Sequence, residues 1–503
     1  MSPNIYTIGA CIIASSGALL FGLDVGVTGG VVAMPSFVEK FFPDTYESQQ
    51  NHLSTNSYCS FDSQLLSLFT SSFFLAGMLS SLPASWITEK CGRKTSMCVG
   101  AILYLLGSTL NVVAADTPML IVGRLILGLG CGFANQAVPI FLAELPPPQS
   151  RGALQVCFQI FVNIGILLAG IINYYTSRVK YGWRISLGVF IPPALVLLIG
   201  SIFLPETPSF LYRSGNMTKA RNTLQKLRGA DANIEDEWSL IVKDVNESKK
   251  HGNPSQQLRT LLSRPYRGEL TVACFIAIFS QLTGINSMLY YTPELFQSLG
   301  RDSGLAQAVA VAAVLLAGAL TSLFVIDRVG RRPLLISGGL LLFLLQVATS
   351  LVLLFCFDPY ASAGTSPTLS RVLLALICLF TFCFGWSWGP LGWLVPVESQ
   401  SQATRSAAST MSVVTNFFAV FLTTQFFLPM LCALQWGTFL IFAAFDVAMV
   451  VFAWLLVVET KGIPVEDMRK EFQSHSYWKG YATELVGFSE KDSLLSSYGS
   501  VDQ

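Results

Sequence analysis

"EKCGRK", Glu89–Lys94, is a short basic loop between two long apolar runs, and "DRVGRR", Asp327–Arg332, has the same character about 238 residues later. Loops rich in Lys and Arg stay on the cytosolic side of a membrane. A basic loop between two apolar runs therefore predicts a pair of membrane-spanning helices. Its recurrence at a long interval predicts a membrane protein built from a repeated unit.

The composition of the whole chain agrees with a membrane location. The 503 residues are 52% hydrophobic and 12% charged, with a mean hydropathy of +0.56. Soluble domains carry about 25% charged residues, so we expect the lipid bilayer to be the main solvent. The net charge of +1 gives no indication of a nucleic-acid partner.

Twelve apolar runs are long enough to cross the hydrocarbon core, which takes about 20 helical residues. They predict an all-α membrane protein with twelve transmembrane helices, six before a charged gap and six after it. The predicted spans are 5–33, 63–88, 95–114, 118–143, 152–174, 184–204, 269–297, 304–326, 333–357, 371–396, 406–431 and 436–458. We expect the gap to form a helical linker in the cytosol.

These spans divide the chain into two six-helix halves. The predicted division is 1–204 for the N-terminal half, 205–268 for the linker, 269–458 for the C-terminal half and 459–503 for a tail. Both basic loops follow even-numbered spans, so both termini are expected in the cytosol. The plasma membrane is the predicted location.

The tail leaves an endomembrane location open as an alternative. "EKDSLL", Glu490–Leu495, and "YGSV", Tyr498–Val501, resemble sorting signals that adaptor proteins bind.

The eleven cysteines and three histidines show no metal-ligand spacing. The chain also has no convincing nucleophile or phosphate-binding motif. The sequence therefore predicts no enzyme, no metal and no cofactor.

Three motifs recur in the same order in the two halves. "CGRK" is echoed by "GRR", and "PETP" at 205–208 by "ETKG" at 459–462. Between them, a Glu is followed by an Arg seven positions on in both halves. A parallel six-helix repeat is the arrangement of major facilitator transporters, whose substrate site lies between the halves. We expect a cytosolic gate that ion pairs across the halves hold shut while the outer side is open. Its predicted residues are Arg93, Glu144, Arg151, Arg331, Glu398 and Arg405.

Longer stretches resemble the sugar porter family of the major facilitator superfamily, and most closely its plant and green-algal monosaccharide–proton symporters. They are "GRLILGLGCGFANQAVPIFLAELPPPQSRG", "PETPSFL", "SQLTGINSMLYYTP", "DRVGRRP", "WSWGPLGWLVPVES" and "VETKG". The resemblance runs from about residue 5 to 463. It implies the major facilitator fold and import of a hexose or pentose with a proton by a monomer, using alternating access.

An ionisable residue, Asp24, lies inside the first predicted span, in "FGLDVGVTGG". A charged Asp at mid-bilayer costs at least ~2.5–3.5 kcal/mol, so a partner is expected, and Arg124 in the fourth span is the candidate. In the symporters that this sequence resembles, the matching aspartate accepts the proton and the matching arginine controls it. A purely structural ion pair is the alternative.

A second acid, Asp446, lies in the last span, and the resemblance gives it no role. An accessory proton site, a helix-packing hydrogen bond and a cavity-facing acid all stay open for it.

The resemblance also implies a sugar site. Its predicted residues are Phe21, Gln159, Gln281, Asn286, Trp393 and Asn416, with Trp393 stacking on the ring and the amides binding hydroxyls. Each amide could instead form interhelical hydrogen bonds. Gly and Pro in "SQLTGIN" and "GWSWGPLGWLVP" predict broken helices, which line cavities in membrane proteins.

Three positions depart from the pattern of the glucose symporters. Ser280, Leu315 and Val420 stand where a glutamine, an asparagine and a threonine are expected. A deoxy-sugar, a pentose, a polyol or weakly bound glucose therefore stay open as substrates. A facilitative sugar or polyol carrier and a non-transporting nutrient sensor are the competing functions.

Finally, the resemblance implies a disulfide between Cys59 and Cys432 on the outer face. It would tether a small extracellular lid, formed by roughly 36–60, to the opposite half.

Overall fold

The computed structural model of the protein describes residues 4–50, 59, 63–146, 151–229, 232–250, 254–298, 304–357, 367–400, 404–463 and 468–479. The two tail motifs and part of the expected lid lie outside these ranges. The described residues form α-helices along most of their length. In chain order these are α1 (Ile5–Val32), α2 (Pro35–Phe41), α3 (Pro43–Gln50), α4 (Gln64–Cys91), α5 (Arg93–Val113), α6 (Thr117–Glu144), α7 (Arg151–Thr176), α8 (Gly182–Gly188), α9 (Ile191–Phe203), α10 (Pro208–Arg213), α11 (Met217–Arg228), α12 (Glu235–Lys250), α13 (Pro254–Leu261), α14 (Arg267–Leu282), α15 (Ile285–Ser298), α16 (Gly304–Val329), α17 (Arg331–Cys356), α18 (Pro367–Trp386), α19 (Trp388–Glu398), α20 (Arg405–Leu434), α21 (Gly437–Leu456) and α22 (Met468–Ser474).

Twelve segments of the described chain are long and apolar enough to cross a membrane, as the sequence predicts. Nine of them are single helices, and three consist of two helices each: α8 with α9, α14 with α15, and α18 with α19. The four helices α10–α13 occupy the charged gap between the sixth and seventh spans.

Two of the three interrupted spans carry the predicted breaks. α14 ends before Gly284, whose φ of +77° suits a residue without a Cβ, and α19 begins after Ser387. The break between α8 and α9 was not predicted. There Pro192 and Pro193 occupy the first turn of α9, where proline is tolerated but cannot continue a preceding helix.

The glycines of "GLGCG" pack α6 tightly between α4 and α5. A Cβ added at Gly130 would lie 2.9 Å from the carbonyl oxygen of Gly100 on α5, and one at Gly128 would clash with the carbonyl of Phe73 on α4. These glycines therefore serve close helix packing, as the sequence suggested.

The two ends of the bundle are distinguished by what covers them. The linker end carries Glu144, Glu398 and helices α10–α13; Arg228 of α11 donates to the carbonyl of Leu145 there at 3.1 Å. The lid end carries α2 and the disulfide between Cys59 and Cys432, whose Cα atoms are 4.6 Å apart. The disulfide is the one that the resemblance implied, and it joins the two halves.

Removing this disulfide should lower stability markedly. The two cysteines are 373 residues apart in sequence, and closing a loop longer than 100 residues is worth about 5 kcal/mol in the chain-entropy account. We expect Cys59→Ser, Cys432→Ser and the double variant to lower the Tm of the detergent-purified protein equally, because each removes the same bond.

Cys356→Ser, which changes an exposed free cysteine, is the control and should leave the Tm unchanged. Non-reducing peptide mass spectrometry should recover one linked peptide pair, and two free thiols at 59 and 432 would contradict the assignment.

Candidate functional site

The predicted pair of Asp24 and Arg124 forms in the structure, with both side chains fully buried. Nη1 of Arg124 donates to Oδ1 of Asp24, and Nη2 lies 3.4 Å from Oδ2. Nε of Arg124 also donates to the carbonyl of Phe69 at 3.2 Å, and Nη2 to that of Thr70 at 3.4 Å. The guanidinium lies over the rings of Phe69 and Phe73. Arg124 on α6 is thus held by groups on both α1 and α4.

A tyrosine from the other half also reaches this pair. Oη of Tyr290, on α15, donates to Oδ2 of Asp24 at 3.3 Å, and the hydroxyl of Thr28 donates to Oδ1 at 3.4 Å. Gly29 permits the approach, since a Cβ there would lie 2.5 Å from the carbonyl oxygen of Tyr290. Tyr290 and Thr28 were missed in the sequence, although both stand in quoted motifs.

Helix α2, at the lid end, packs against Phe69, the ring over which the guanidinium of Arg124 lies. The ring of Phe37 lies 5.4 Å from that of Phe69 and 6.0 Å from that of Trp183. Lys40 donates to the carbonyl of Ala114 at 3.0 Å. The position of α2 is therefore linked to Arg124 through one shared aromatic side chain, Phe69.

A cavity of about 710 Å³, counting the space open to solvent, lies between the halves. Of the six predicted sugar contacts, it brings together Gln159, Trp393 and Asn416. Its lining continues to Ile140 and Val397, each within about one helical turn of the linker end. The cavity therefore extends toward that end of the bundle.

Four side-chain amides that line the cavity have the same hydrogen-bonding pattern. Each is buried, each uses its NH2 group within the protein, and each leaves its oxygen without a hydrogen-bond partner in the part of the chain that the structure describes. They are Asn135, Gln136, Gln159 and Asn416. Buried polar atoms are nearly always paired, so four free acceptors fit a molecule rich in hydroxyl donors.

Asn135 and Gln136 were missed in the sequence analysis. Their signal was the adjacent pair of amides inside the glycine-rich apolar helix "GLGCGFANQAVP". The NH2 group of Gln136 donates to Thr410 at 3.1 Å, and Thr410 donates to Ser85 at 2.7 Å. This chain of hydrogen bonds connects the two halves beside the cavity.

The other three predicted contacts lie outside the cavity lining. Asn286 donates to Oε1 of Gln281 at 2.5 Å, and Gln281 lies 3.4 Å from the hydroxyl of Ser280. Phe21 packs against Phe417 with ring centroids 6.2 Å apart. In this conformation the two amides satisfy each other.

The two apolar departures from the symporter pattern are core residues. Leu315 is 2% exposed and Val420 is 0% exposed, and neither lines the cavity.

Four aromatic rings lie on the lid side of the cavity. Phe74 is 6.0 Å from Tyr290 and 6.2 Å from Phe417, and Phe21 is 6.5 Å from Phe74. These contacts join α1 and α4 of the first half to α15 and α20 of the second. The cavity is thus narrowed by aromatic packing toward the lid end.

The first predicted gate cluster is an ion-pair network at the start of α5. Arg93 donates to Glu144 at 2.8 Å, and Glu144 accepts from the hydroxyl of Thr207 at 2.6 Å. Glu206 accepts from the backbone N–H groups of Arg93 and Lys94 at 3.1 and 3.2 Å. Burial raises the pKa of Glu206, against the effect of these donors.

The second cluster repeats the same contacts in the other half. Arg331 donates twice to Glu398 at 3.0 Å, and Glu398 accepts from Thr460 at 2.6 Å. Glu459 accepts from the backbone N–H groups of Arg331 and Arg332 at 2.9 and 3.0 Å. The sequence repeat is therefore also a repeat of hydrogen bonds.

The expectation of ion pairs across the halves concerns the conformation that is open on the outer side, so it stays a prediction; this conformation shows a different pairing. Arg93 pairs with Glu144, and Arg331 with Glu398, so each pair stays within one half. Each arginine begins a helix directly beside the glutamate that ends another, which brings the charges together locally. The side chains of Arg151 and Arg405 lie outside the described part of the structure.

The twelve apolar segments, the central cavity and the buried ion pair define a multi-pass membrane transporter of the major facilitator fold. The fold is similar to that of the Escherichia coli proton:xylose symporter XylE bound to 6-bromo-6-deoxy-D-glucose. The TM-score is 0.76, covering 92% of this chain and 98% of that one at 24% identity.

Residues 10–472 match the family described as Sugar (and other) transporter, and the chain belongs to it. It is 43% identical over 476 residues to "Sugar transport protein 1" of Arabidopsis thaliana, covering 94% of this chain and 90% of that protein. It is 44% identical over 478 residues to "H(+)/hexose cotransporter 2" of Parachlorella kessleri, covering 94% and 88%.

Proposed function

We propose that the protein imports a monosaccharide together with a proton by alternating access. The observation that carries this proposal is the set of four unpaired amide oxygens in the cavity. Hydroxyl groups are the donors that they need, and Trp393 offers an apolar plane for the C–H face of a sugar ring. The names of the relatives, which include a proton/hexose cotransporter and a proton:xylose symporter, support the same function.

Asp24 would carry the proton. A guanidinium beside a carboxyl favours the ionised form, so the conformation described would be the one that has released its proton. Withdrawal of Tyr290 with α15 would open Asp24 toward the lid end, where a proton could bind and free Arg124. Proton binding would then depend on conformation, which is the requirement for coupling a gradient to transport.

Sugar release would take place at the linker end. The cavity extends toward that end, while aromatic rings narrow it toward the lid end. When the half-helix α15 moves, Gln281 and Asn286 would exchange their mutual hydrogen bond for contacts with the sugar. The predicted gate residues, including Arg151 and Arg405, would pair across the halves in the alternate conformation.

Orientation and assembly belong to the same proposal. The linker end would face the cytosol together with both termini, and the lid end would face outward, where a disulfide persists. We place the protein in the plasma membrane as a monomer, with the domain division of the sequence analysis. The tail motifs would bind adaptor proteins if the protein is sorted to internal membranes.

Transport by cells that lack hexose uptake tests the proposal. Cells expressing the protein should accumulate a monosaccharide from a panel of hexoses, pentoses and polyols, more at acidic than at neutral external pH. An uncoupler should abolish accumulation. Uptake that only equilibrates and ignores the uncoupler would indicate a facilitator, and no uptake of any solute would indicate a sensor.

Gln159→Ala should weaken sugar binding specifically. The change removes one hydrogen bond to a hydroxyl, worth about 1 kcal/mol, which corresponds to about a fivefold higher KM. Radiolabelled uptake at saturating proton concentration measures this. Asn111→Ala, which changes a buried amide of α5 outside the cavity, is the control. Equal KM changes in both variants would remove Gln159 from the binding site.

A further inference from the structure

Asp446 is a second buried acid, far in sequence from the ion pair. It is the one ionisable residue of α21 and is 0% exposed. Both of its carboxylate oxygens lack a hydrogen-bond partner among the described residues. The transport mechanism proposed above does not use it.

On α21, Asp446 lies between two residues that each contact one of the broken spans. About one turn before it, Phe442 packs at the break of α14 and α15, where a Cβ on Gly284 would lie 2.9 Å from its ring. About one turn after it, Met449 packs near Trp388, the first residue of α19. A Cβ on Gly339 would lie 3.1 Å from Met449 and 3.5 Å from Trp388. Asp446 thus occupies the helix that braces both breaks.

A side-chain amide binds the backbone at the first break, between α14 and α15. Gln346 on α17 donates to the carbonyl of Thr283 at 2.9 Å, at the residue after α14 ends. Its own oxygen, like those of Asp446, is buried and has no hydrogen-bond partner within the described ranges. A rearrangement at this break would release polar backbone groups close to the helix that carries the acid.

No charged side chain that the structure describes compensates Asp446 in this conformation. The helices packed against α21 are α14, α17 and α20, and their titratable residues lie mostly near helix ends. These residues are Arg267, Glu269, Cys274, Arg331, Arg332, Cys356 and Arg405. None of those whose side chains are described interacts electrostatically with Asp446. An isolated carboxylate in such a place is far more costly than a neutral carboxylic acid.

Asp24 presents the opposite case in the same conformation. Its carboxylate is satisfied by a guanidinium, a phenol and a threonine hydroxyl. We propose that Asp446 is a second proton-binding carboxyl, in the C-terminal half, and that it holds its proton in the conformation in which Asp24 is ion-paired. It ionises when the neighbouring break rearranges and admits water, so each half contributes one proton-binding group. This inference rests on the proposed proton-coupled function.

Infrared spectroscopy of the full-length protein in lipid nanodiscs tests the protonation state without requiring transport. At neutral pH, the C=O band of a protonated carboxyl that shifts in deuterated water should be present in the wild type and in Asp24→Asn. Asp446→Asn should lose it. Persistence of the full band in Asp446→Asn would overturn the proposal.

Proton-to-sugar flux ratios in proteoliposomes test the role in the cycle. Asp446→Asn should transport one proton fewer per sugar, with sugar affinity unchanged. A lost infrared band with an unchanged flux ratio would make Asp446 a structural neutral acid and would also overturn the proposal. Asp446→Glu keeps a carboxyl and should retain both the infrared band and the wild-type flux ratio. It therefore separates loss of the acid from misfolding. Loss of the wild-type flux ratio in both Asp446→Asn and Asp446→Glu would indicate a packing role. Absence of proton flux in the wild type would instead refute the proposed function, and the infrared result would still stand.

Discussion

Asp24→Asn should abolish sugar accumulation against a gradient while leaving downhill movement of sugar intact. Asparagine has nearly the shape of aspartate and can still accept from Arg124, but it cannot exchange a proton between the two sides. The carboxyl is fully buried, and Arg124, Tyr290 and Thr28 all donate to it. Asp24→Asn removes the change of charge that frees and recaptures Arg124. Without that switch the cycle is not coupled to the gradient, so the whole accumulation is expected to be lost.

The measurement is the steady-state ratio of internal to external sugar in proteoliposomes with an imposed pH gradient. Wild type should accumulate sugar, and Asp24→Asn should only equilibrate it. Thr28→Val is the matched control: it removes one hydroxyl donor to the same carboxylate and keeps the β-branched shape. Accumulation should survive in this control. Uphill uptake by Asp24→Asn that also survives an uncoupler would rule out coupling through this residue.

The fold could be predicted from the sequence because its strongest determinants are local. Runs of about 20 apolar residues predict helices that span the bilayer, and the glycine of "SQLTGIN", Gly284, predicts one of the helix breaks. The break before Ile191 was not predicted, although Pro192 and Pro193 lie in the middle of the predicted span 184–204, where proline interrupts a helix.

The site was predicted only in part, because rotation of helices decides which amides face the cavity. Gln159 and Asn416 were predicted, whereas Asn135 and Gln136 were not, although all four have the same chemistry. The expected pairing of gate charges across the halves concerns the outward-open conformation and stays a prediction. Sequence spacing shows that charges recur, but the local distance between helix ends determines that Arg93 pairs with Glu144.

Arg124→Met should destabilise the protein strongly. Breaking a buried ion pair by removing one partner costs about 3–5 kcal/mol, because it leaves the other charge buried and unpaired. Here the loss also removes the side-chain donor that the carbonyls of Phe69 and Thr70 share with the helix backbone of α4. The Tm of the purified protein in detergent measures the effect, and Arg184→Met, at a half-buried arginine of α8, is the control, with a small change expected.

Combining Arg124→Met with Asp24→Asn separates charge from packing. If the cost comes from the uncompensated carboxylate, the double variant should recover most of the lost Tm while remaining unable to accumulate sugar. Arg124→Lys should be intermediate, because a single ammonium cannot reach the carboxylate and both carbonyls at once. If the double variant is as unstable as Arg124→Met, the guanidinium stabilises the protein mainly by binding the backbone of α4. Asp24 would then not be the partner that determines the position of Arg124.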